Sequence, residues 1–300
     1  MQYVMENEQL RVTIDSHGAE LVSVVDADSN REYIWQADPE VWKRHAPVLF
    51  PIVGKCVNGE YTYDGKSYKM GQHGFARDME FELVSKDSDS IVLRIASDDK
   101  TRRVYPFDFE LLCTYELYGN TVTTGWKVIN AGNSDMYFGI GGHPAYIMDG
   151  NLIGKKLIFD DADEKLQYKL LGAGGVDDNT VYDLCLDNRS IVMDDKLFAK
   201  DALIIEDNQC HCVTLADEND SPVVKVCFDA PLFGLWSART DIPFVCIEPW
   251  YGRADADDAD SDISRKKYIQ RLGAGEDFQK GFTTYYYKTN KNFMQYKQRH

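Results

Sequence analysis

The chain has no apolar run approaching the roughly 20 residues that cross a bilayer as a helix. Its opening residues, MQYVMENEQL, lack the basic stretch followed by an apolar one that marks a secretory leader. A cytoplasmic protein with no membrane partner is expected. Positive charge is also scarce: 33 Lys and Arg stand against 49 Asp and Glu, a formal net charge of −16 over 300 residues. Nucleic acids and anionic lipid surfaces are held by clustered Lys and Arg, so neither is an expected partner, and a small ligand is expected instead. Helical periodicity is nearly absent, with only Asp38–Lys43 and Lys196–Asp201 as short candidates, too short to build a helical layer.

Metal motifs are missing as well. On a strand, Cys210-His211-Cys212 would send both thiols to one face and the imidazole to the other, which does not make a zinc site. The Asp-rich run 253–262, counted as a calcium loop from Asp255, has Asp260 where the loop needs Gly and Lys266 where it needs Glu. It reads as a solvated acidic loop. No metal and no other cofactor is therefore expected. The cysteine count of seven is odd and most lie in apolar alternating stretches, so they read as packing residues rather than a disulfide framework.

What the sequence does contain is alternation. Leu10–Asp15, Glu20–Val25, Met79–Val84, Ile91–Ala96, Phe107–Leu117, Thr121–Asn130, Val223–Phe228 and Phe278–Tyr287 alternate apolar and polar residues, the pattern of half-buried strands. Turn residues separate them at Tyr63-Asp64-Gly65-Lys66, Leu117-Tyr118-Gly119-Asn120 and Asn130-Ala131-Gly132-Asn133, the second reading as a hairpin. No Pro/Ser-rich linker, composition break or internal repeat interrupts this, which predicts an all-β chain forming one large sandwich over residues 1–300.

Three segments combine turn residues, ionisable groups and aromatics, the profile of a site built on loops and strand ends. Gly71-Gln72-His73-Gly74-Phe75-Ala76-Arg77-Asp78 packs an imidazole, a guanidinium and a carboxylate around two glycines. Gly139-Ile140-Gly141-Gly142-His143-Pro144-Ala145-Tyr146 holds a histidine between a diglycine and a proline, which specifies its backbone tightly. Phe244-Val245-Cys246-Ile247-Glu248-Pro249-Trp250-Tyr251-Gly252 ends an apolar strand on a glutamate. Alternation there puts Cys246 and Glu248 on one face, beside Trp250. Aromatic neighbours would desolvate that carboxyl and raise its pKa toward that of a general base.

These segments resemble the aldose 1-epimerase (galactose mutarotase-like) family, in its LacX-like branch. Arg44-His-Ala-Pro-Val-Leu-Phe-Pro-Ile-Val-Gly54, the Tyr61–Lys66 hairpin, HGFARD, GGHPAY, Leu197–Leu203 and CIEPWYG follow one another as in that family, over nearly the whole chain. The resemblance implies a large antiparallel supersandwich with a sugar cleft across one sheet. It implies His143 as general acid, Glu248 as general base and His73 as a sugar contact near the ring oxygen. Arg77, Lys55 (where relatives often carry Arg or Asn), Asp201 and Trp250 are the further substrate-binding candidates, and Tyr146 is a second candidate for stacking on the sugar. The implied activity is interconversion of α and β anomers of a hexose. Two alternatives within the fold stay open: a hexose-6-phosphate 1-epimerase, because related enzymes use the arginine of HGFAR on phosphate, and a carbohydrate-binding protein without turnover. A glycoside hydrolase would be expected to have two flanking carboxylates, and only Glu248 stands out. The oligomeric state is not legible.

Overall fold

The computed structural model describes residues 1–172 and 174–288. Alternation becomes burial most directly in the strand Thr121–Asn130, where Val122, Thr124, Trp126, Val128 and Asn130 point inward and the residues between them outward. The Gly119-Asn120 turn returns this strand against Phe109–Tyr118, and Asp277–Tyr286 pairs along its other edge. These three are neighbours in a nine-stranded sheet whose remaining strands are Ser190–Val192, Lys156–Phe159, Cys212–Ala216 and Pro222–Phe228 on one side, and Ser90–Ala96 and Glu82–Lys86 on the other. Every strand pairing in it is antiparallel.

A second sheet of six strands runs Leu203–Ile205, Leu232–Trp236, Phe244–Tyr251, Ile140–Gly142 and Val48–Leu49, with Ala145–Ile147 also paired to Phe244–Tyr251. One apolar core spans the molecule from Met5 to Tyr286; it takes Leu111, Val122, Val128 and Val224 from the large sheet and Phe233, Leu235, Val245 and Ile247 from the smaller. Each such fully buried side chain stabilises the fold by about 1.5–3 kcal/mol.

Several expectations change here. The strand carrying Glu248 does not stop at Pro249 but continues to Tyr251; the missing proline N–H falls opposite Gly142, beside the break in the partner strand at His143-Pro144. Asp38–Lys43 is one turn, with Val41 and Trp42 both donating to the Asp38 carbonyl. Lys196–Asp201 is also a turn, with Asp201 left-handed at φ 74°. Among the described residues the α-helix is Asp99–Arg102, started by a capping box between Asp98 and Thr101. The acidic run is not solvated throughout: Asp255 is buried, takes Lys266 Nζ at 2.5 Å and accepts the Val57 N–H at 3.0 Å. A buried carboxylate needs such partners. Cys212 and Cys227, opposite each other on neighbouring strands, form a disulfide, a pairing that only the register reveals. No helix among the described residues is long and apolar enough to cross a membrane.

Candidate active site

Pro144 has no N–H and divides its strand, yet one register runs through the break: Ile140 pairs with Tyr251 before it and Ala145 with Cys246 after it. That register sets His143 across from Glu248, and directly opposed residues point to the same face. This face lies away from the main core. It carries two small apolar clusters, one of Leu49, Ile204, Leu232 and Trp250 with neighbours, the other of Ala145, Phe244 and Cys246 with Trp35, Trp42 and Trp236 against them. His143 and Glu248 sit between the two.

His143 Nε2 and Glu248 Oε2 are 3.3 Å apart, and Glu248 is 1% exposed. His143 Nδ1, Glu248 Oε2 and Trp250 Nε1 are all buried without a hydrogen-bond partner. Such atoms are rare in folded proteins because each carries a desolvation cost of about 1–3 kcal/mol. Burial, helped by the negative charge of Asp201, pushes the Glu248 carboxyl well above its usual range, against an opposing effect of the Trp250 indole. Burial, together with the Arg77 and Arg44 cations, lowers the His143 imidazole to about 3. Both groups thus favour their uncharged forms, and one exchangeable proton belongs to the pair.

The surroundings fix these rings. Trp42 stacks on His143 with centroids 4.9 Å apart and planes 28° apart, and Trp236 meets it edge-on at 5.5 Å. His73 approaches His143 edge-on at 5.6 Å. Its backbone is left-handed, φ 63°, and the next residue, Gly74, passes so close to Phe50 that a Cβ there would meet the Phe50 carbonyl oxygen at 2.1 Å. Gly54 N–H donates to His73 Nδ1 at 3.1 Å. Burial and the neighbouring cations hold this ring neutral, so Nε2 carries its hydrogen as a donor; the Gln72 amide nitrogen 3.2 Å away is itself a donor and does not accept it.

The other candidates have differing surroundings. Arg77 is tied into its own loop: Nη2 donates to the Gln72 carbonyl at 2.6 Å, and Nε, buried, lies 3.9 Å from Asp78. Arg44 clamps the same loop through Asp78 at 2.8 Å. Lys55 is exposed. Asp201 is exposed at the start of the strand Leu203–Ile205, close enough for its charge to act on Glu248. Trp250 lays its ring over Gly234, where a Cβ would meet it at 2.4 Å. Tyr146 does not face a cleft; it is fully buried and its hydroxyl bonds Thr284 at 2.9 Å. Trp42 and Trp236 escaped the motif reading because they lie outside the three segments, in a turn and on a strand buried along most of its length.

Beyond the end of the same strand lies a second charged cluster, also missed. Arg253, its side chain 2% exposed, donates to Glu206 at 2.5 Å and to both oxygens of Asp178 at 2.7 and 2.8 Å. Lys169 and Lys267 reach Glu206 at 3.1 and 3.0 Å. An arginine directly before an acidic run was the available signal.

An imidazole and a carboxyl without a charge partner thus lie buried side by side on one face of an antiparallel β-sandwich. The chain belongs to the aldose 1-epimerase family, isomerases acting on carbohydrates, whose model matches residues 1–255. It is 32% identical to the chromosomal protein LacX of Lactococcus lactis subsp. lactis over 267 residues, 84% of this chain and 88% of that protein. The X-ray structure of a galactose mutarotase related enzyme from Lactobacillus acidophilus matches with TM-score 0.91 and 39% identity, covering 97% of this chain and 99% of the other. A galactose mutarotase-like protein from Lactobacillus casei ATCC 334 matches with TM-score 0.88 and 27% identity, covering 96% and 100%. The fold is thus the galactose mutarotase-like β-sandwich, and the chain is a sugar epimerase or mutarotase.

Proposed function

We propose that this protein interconverts the α and β anomers of an unphosphorylated hexose such as galactose or glucose, with His143 and Glu248 as the proton-transfer pair. The pair acts with its proton on His143, shifted there from Glu248 across the 3.3 Å contact as the sugar docks: the Glu248 carboxylate takes the proton of the anomeric hydroxyl while the C1–O5 bond breaks, and His143 delivers its proton to O5. The open aldehyde turns about C1–C2. Glu248 then returns its proton to the carbonyl oxygen as O5, surrendering its proton to His143, attacks the other face. The pair ends with the proton it began with. His73 Nε2–H offers a hydrogen bond to the sugar beside the ring oxygen, and Lys55 and Asp201, near the rim, contact hydroxyls. Trp250 backs Glu248 and the Trp42–Trp236 wall meets the sugar's apolar face. The observation that carries this reading is the 3.3 Å separation of two buried groups with unpartnered polar atoms, since general acid–base catalysis needs a donor and an acceptor within reach of one substrate.

The choice of an unphosphorylated sugar rests on Arg77, whose guanidinium is held by the Gln72 carbonyl and faces Asp78. The net charge of −16 also opposes attraction of a dianion. Polarimetry of freshly dissolved α-galactose, α-glucose and α-glucose 6-phosphate tests both points. Faster mutarotation of a free sugar is expected. A rate enhancement confined to the phosphate, lost on Arg77→Ala, would overturn the substrate assignment; no enhancement of any of the three would overturn the hexose reading.

A further inference from the structure

Cys246 has no place in the proton transfer, yet it points to the same face as Glu248 two residues on. The His143 imidazole, Cys246 thiol and Glu248 carboxylate offer three donor atoms that all lie within 4.8 Å of one another, and all three residues are buried. Cys246 is a free thiol. Ligands around tetrahedral zinc, at about 2.0–2.3 Å from the metal, stand roughly 3.3–3.8 Å apart. His143 and Glu248 already meet that spacing at 3.3 Å, and a contraction of about 1 Å brings in the sulfur. Glu248 Oε2, buried and without a hydrogen-bond partner, faces into this cluster.

We propose that this cluster is an inhibitory binding site for a borderline-soft divalent cation, Zn²⁺ in the first instance. One imidazole nitrogen, one thiolate and one carboxylate would hold the ion, leaving a fourth position for water. Charge favours this arrangement: thiolate and carboxylate neutralise the dication, so a buried pocket gains no net charge. On binding, the thiol proton and the proton of the His143–Glu248 pair leave to solvent. The ion then occupies both groups that the sugar needs, so it inhibits competitively. The inhibition arm rests on the epimerase reading; the binding arm does not.

The test titrates Zn²⁺ into wild type, Cys246→Ala and Cys246→Ser by calorimetry, in a Cys185→Ser background that removes the exposed thiol. Co²⁺ replaces Zn²⁺ in a parallel series read by its sulfur-to-cobalt absorption. One equivalent bound by wild type, a cobalt–sulfur band, and at least about a tenfold weaker site without the sulfur are expected. Equal affinity in the Cys246 variants, or no cobalt–sulfur band, would overturn the site. With sugar present, Zn²⁺ should raise KM without lowering kcat in wild type and act at least tenfold more weakly in Cys246→Ala, whose basal turnover stays intact. Zn²⁺ that saturates the site and leaves turnover untouched would overturn the inhibitory role. Absence of turnover altogether would sink the epimerase reading alone, because calorimetry and the cobalt band are read without sugar.

Discussion

Two groups of ionisable side chains are centred on buried residues of, and just beyond, one strand, Phe244–Tyr251, and they are built to opposite rules. Around Arg253 every charge has a partner: Asp178 and Glu206 share the guanidinium, with Lys169 and Lys267 completing the set. The Arg253 hydrogen bonds hold the Asp178 carboxyl well below the usual carboxylate range. Around Glu248 the neighbours are an imidazole, a thiol, indoles and Gly234, and the carboxyl is driven the other way. The first cluster spends its electrostatics on stability; the second stores a proton at the expense of stability. The same burial therefore gives a structural joint where charges cancel and, in the function proposed above, a reactive site where they do not.

The largest expected effect breaks the reactive side. His143→Asn should lower mutarotation turnover at least about 10²-fold, the usual size of a general acid–base contribution, with an unchanged far-UV spectrum. A variant within tenfold of wild type would remove His143 from the reaction.

The structural side breaks differently. Arg253→Met leaves Glu206 buried with only its two lysines and Asp178 without its fork, and should cost about 3 kcal/mol in denaturant unfolding, the low end for removing one member of a buried ion set. The sign with pH follows from Asp178: its folded-state pKa is depressed, so its contribution is present above the ordinary carboxylate value and is lost as pH falls through that value and below it. Wild type should therefore lose stability on acidification more steeply than Arg253→Met. Parallel curves would show that this joint does not carry the acid sensitivity.

A smaller effect sharpens the reactive side. Trp42→Ala removes the ring stacked on His143 and should reduce turnover about two- to tenfold, from the worth of one aromatic contact, with Trp42→Phe recovering part of the loss. Unchanged turnover in Trp42→Ala would make the stacking incidental.

The smallest effect is on the stability of Glu248→Gln. The folded-state pKa of Glu248 is raised, so the cost of burying it starts as pH rises above the carboxyl's ordinary 4.5 and is complete only above the folded value. Gln carries no such cost, so the variant should melt at or slightly above wild type at pH 7, and its advantage should vanish below about pH 4. A clear loss of stability at pH 7 would mean that the carboxyl is satisfied in a way the geometry does not show.

How much of this was legible in the sequence depended on the range of the physics involved. Thr121–Asn130 and Leu10–Asp15 were read to the residue, because period-two burial on one face is a local signal. Leu203–Ile205 was not read as a strand: all three of its residues are buried, so no alternation marks it. Asp38–Lys43 is a short helix candidate by its spacing, whereas the left-handed Ala37 and the Asp38 carbonyl close a single turn that carries Trp42 to His143. The helix Asp99–Arg102 was missed for the converse reason, its capping signal standing without an apolar stripe. Within the site, His73, His143 and Glu248 were marked by their glycine and proline surroundings and by family resemblance. Trp42, Trp236 and Arg253 needed the register of strands distant in sequence, as did the Cys212–Cys227 bridge.

The most direct measurement is the initial rate of α-galactose and α-glucose mutarotation, above the spontaneous rate, for Glu248→Gln beside wild type at pH 7. Wild type should accelerate at least one of the two sugars, and Glu248→Gln should retain about 1% of that enhancement or less while remaining folded. A folded Glu248→Gln protein with near wild-type enhancement would contradict the claim that the uncompensated carboxyl carries the reaction.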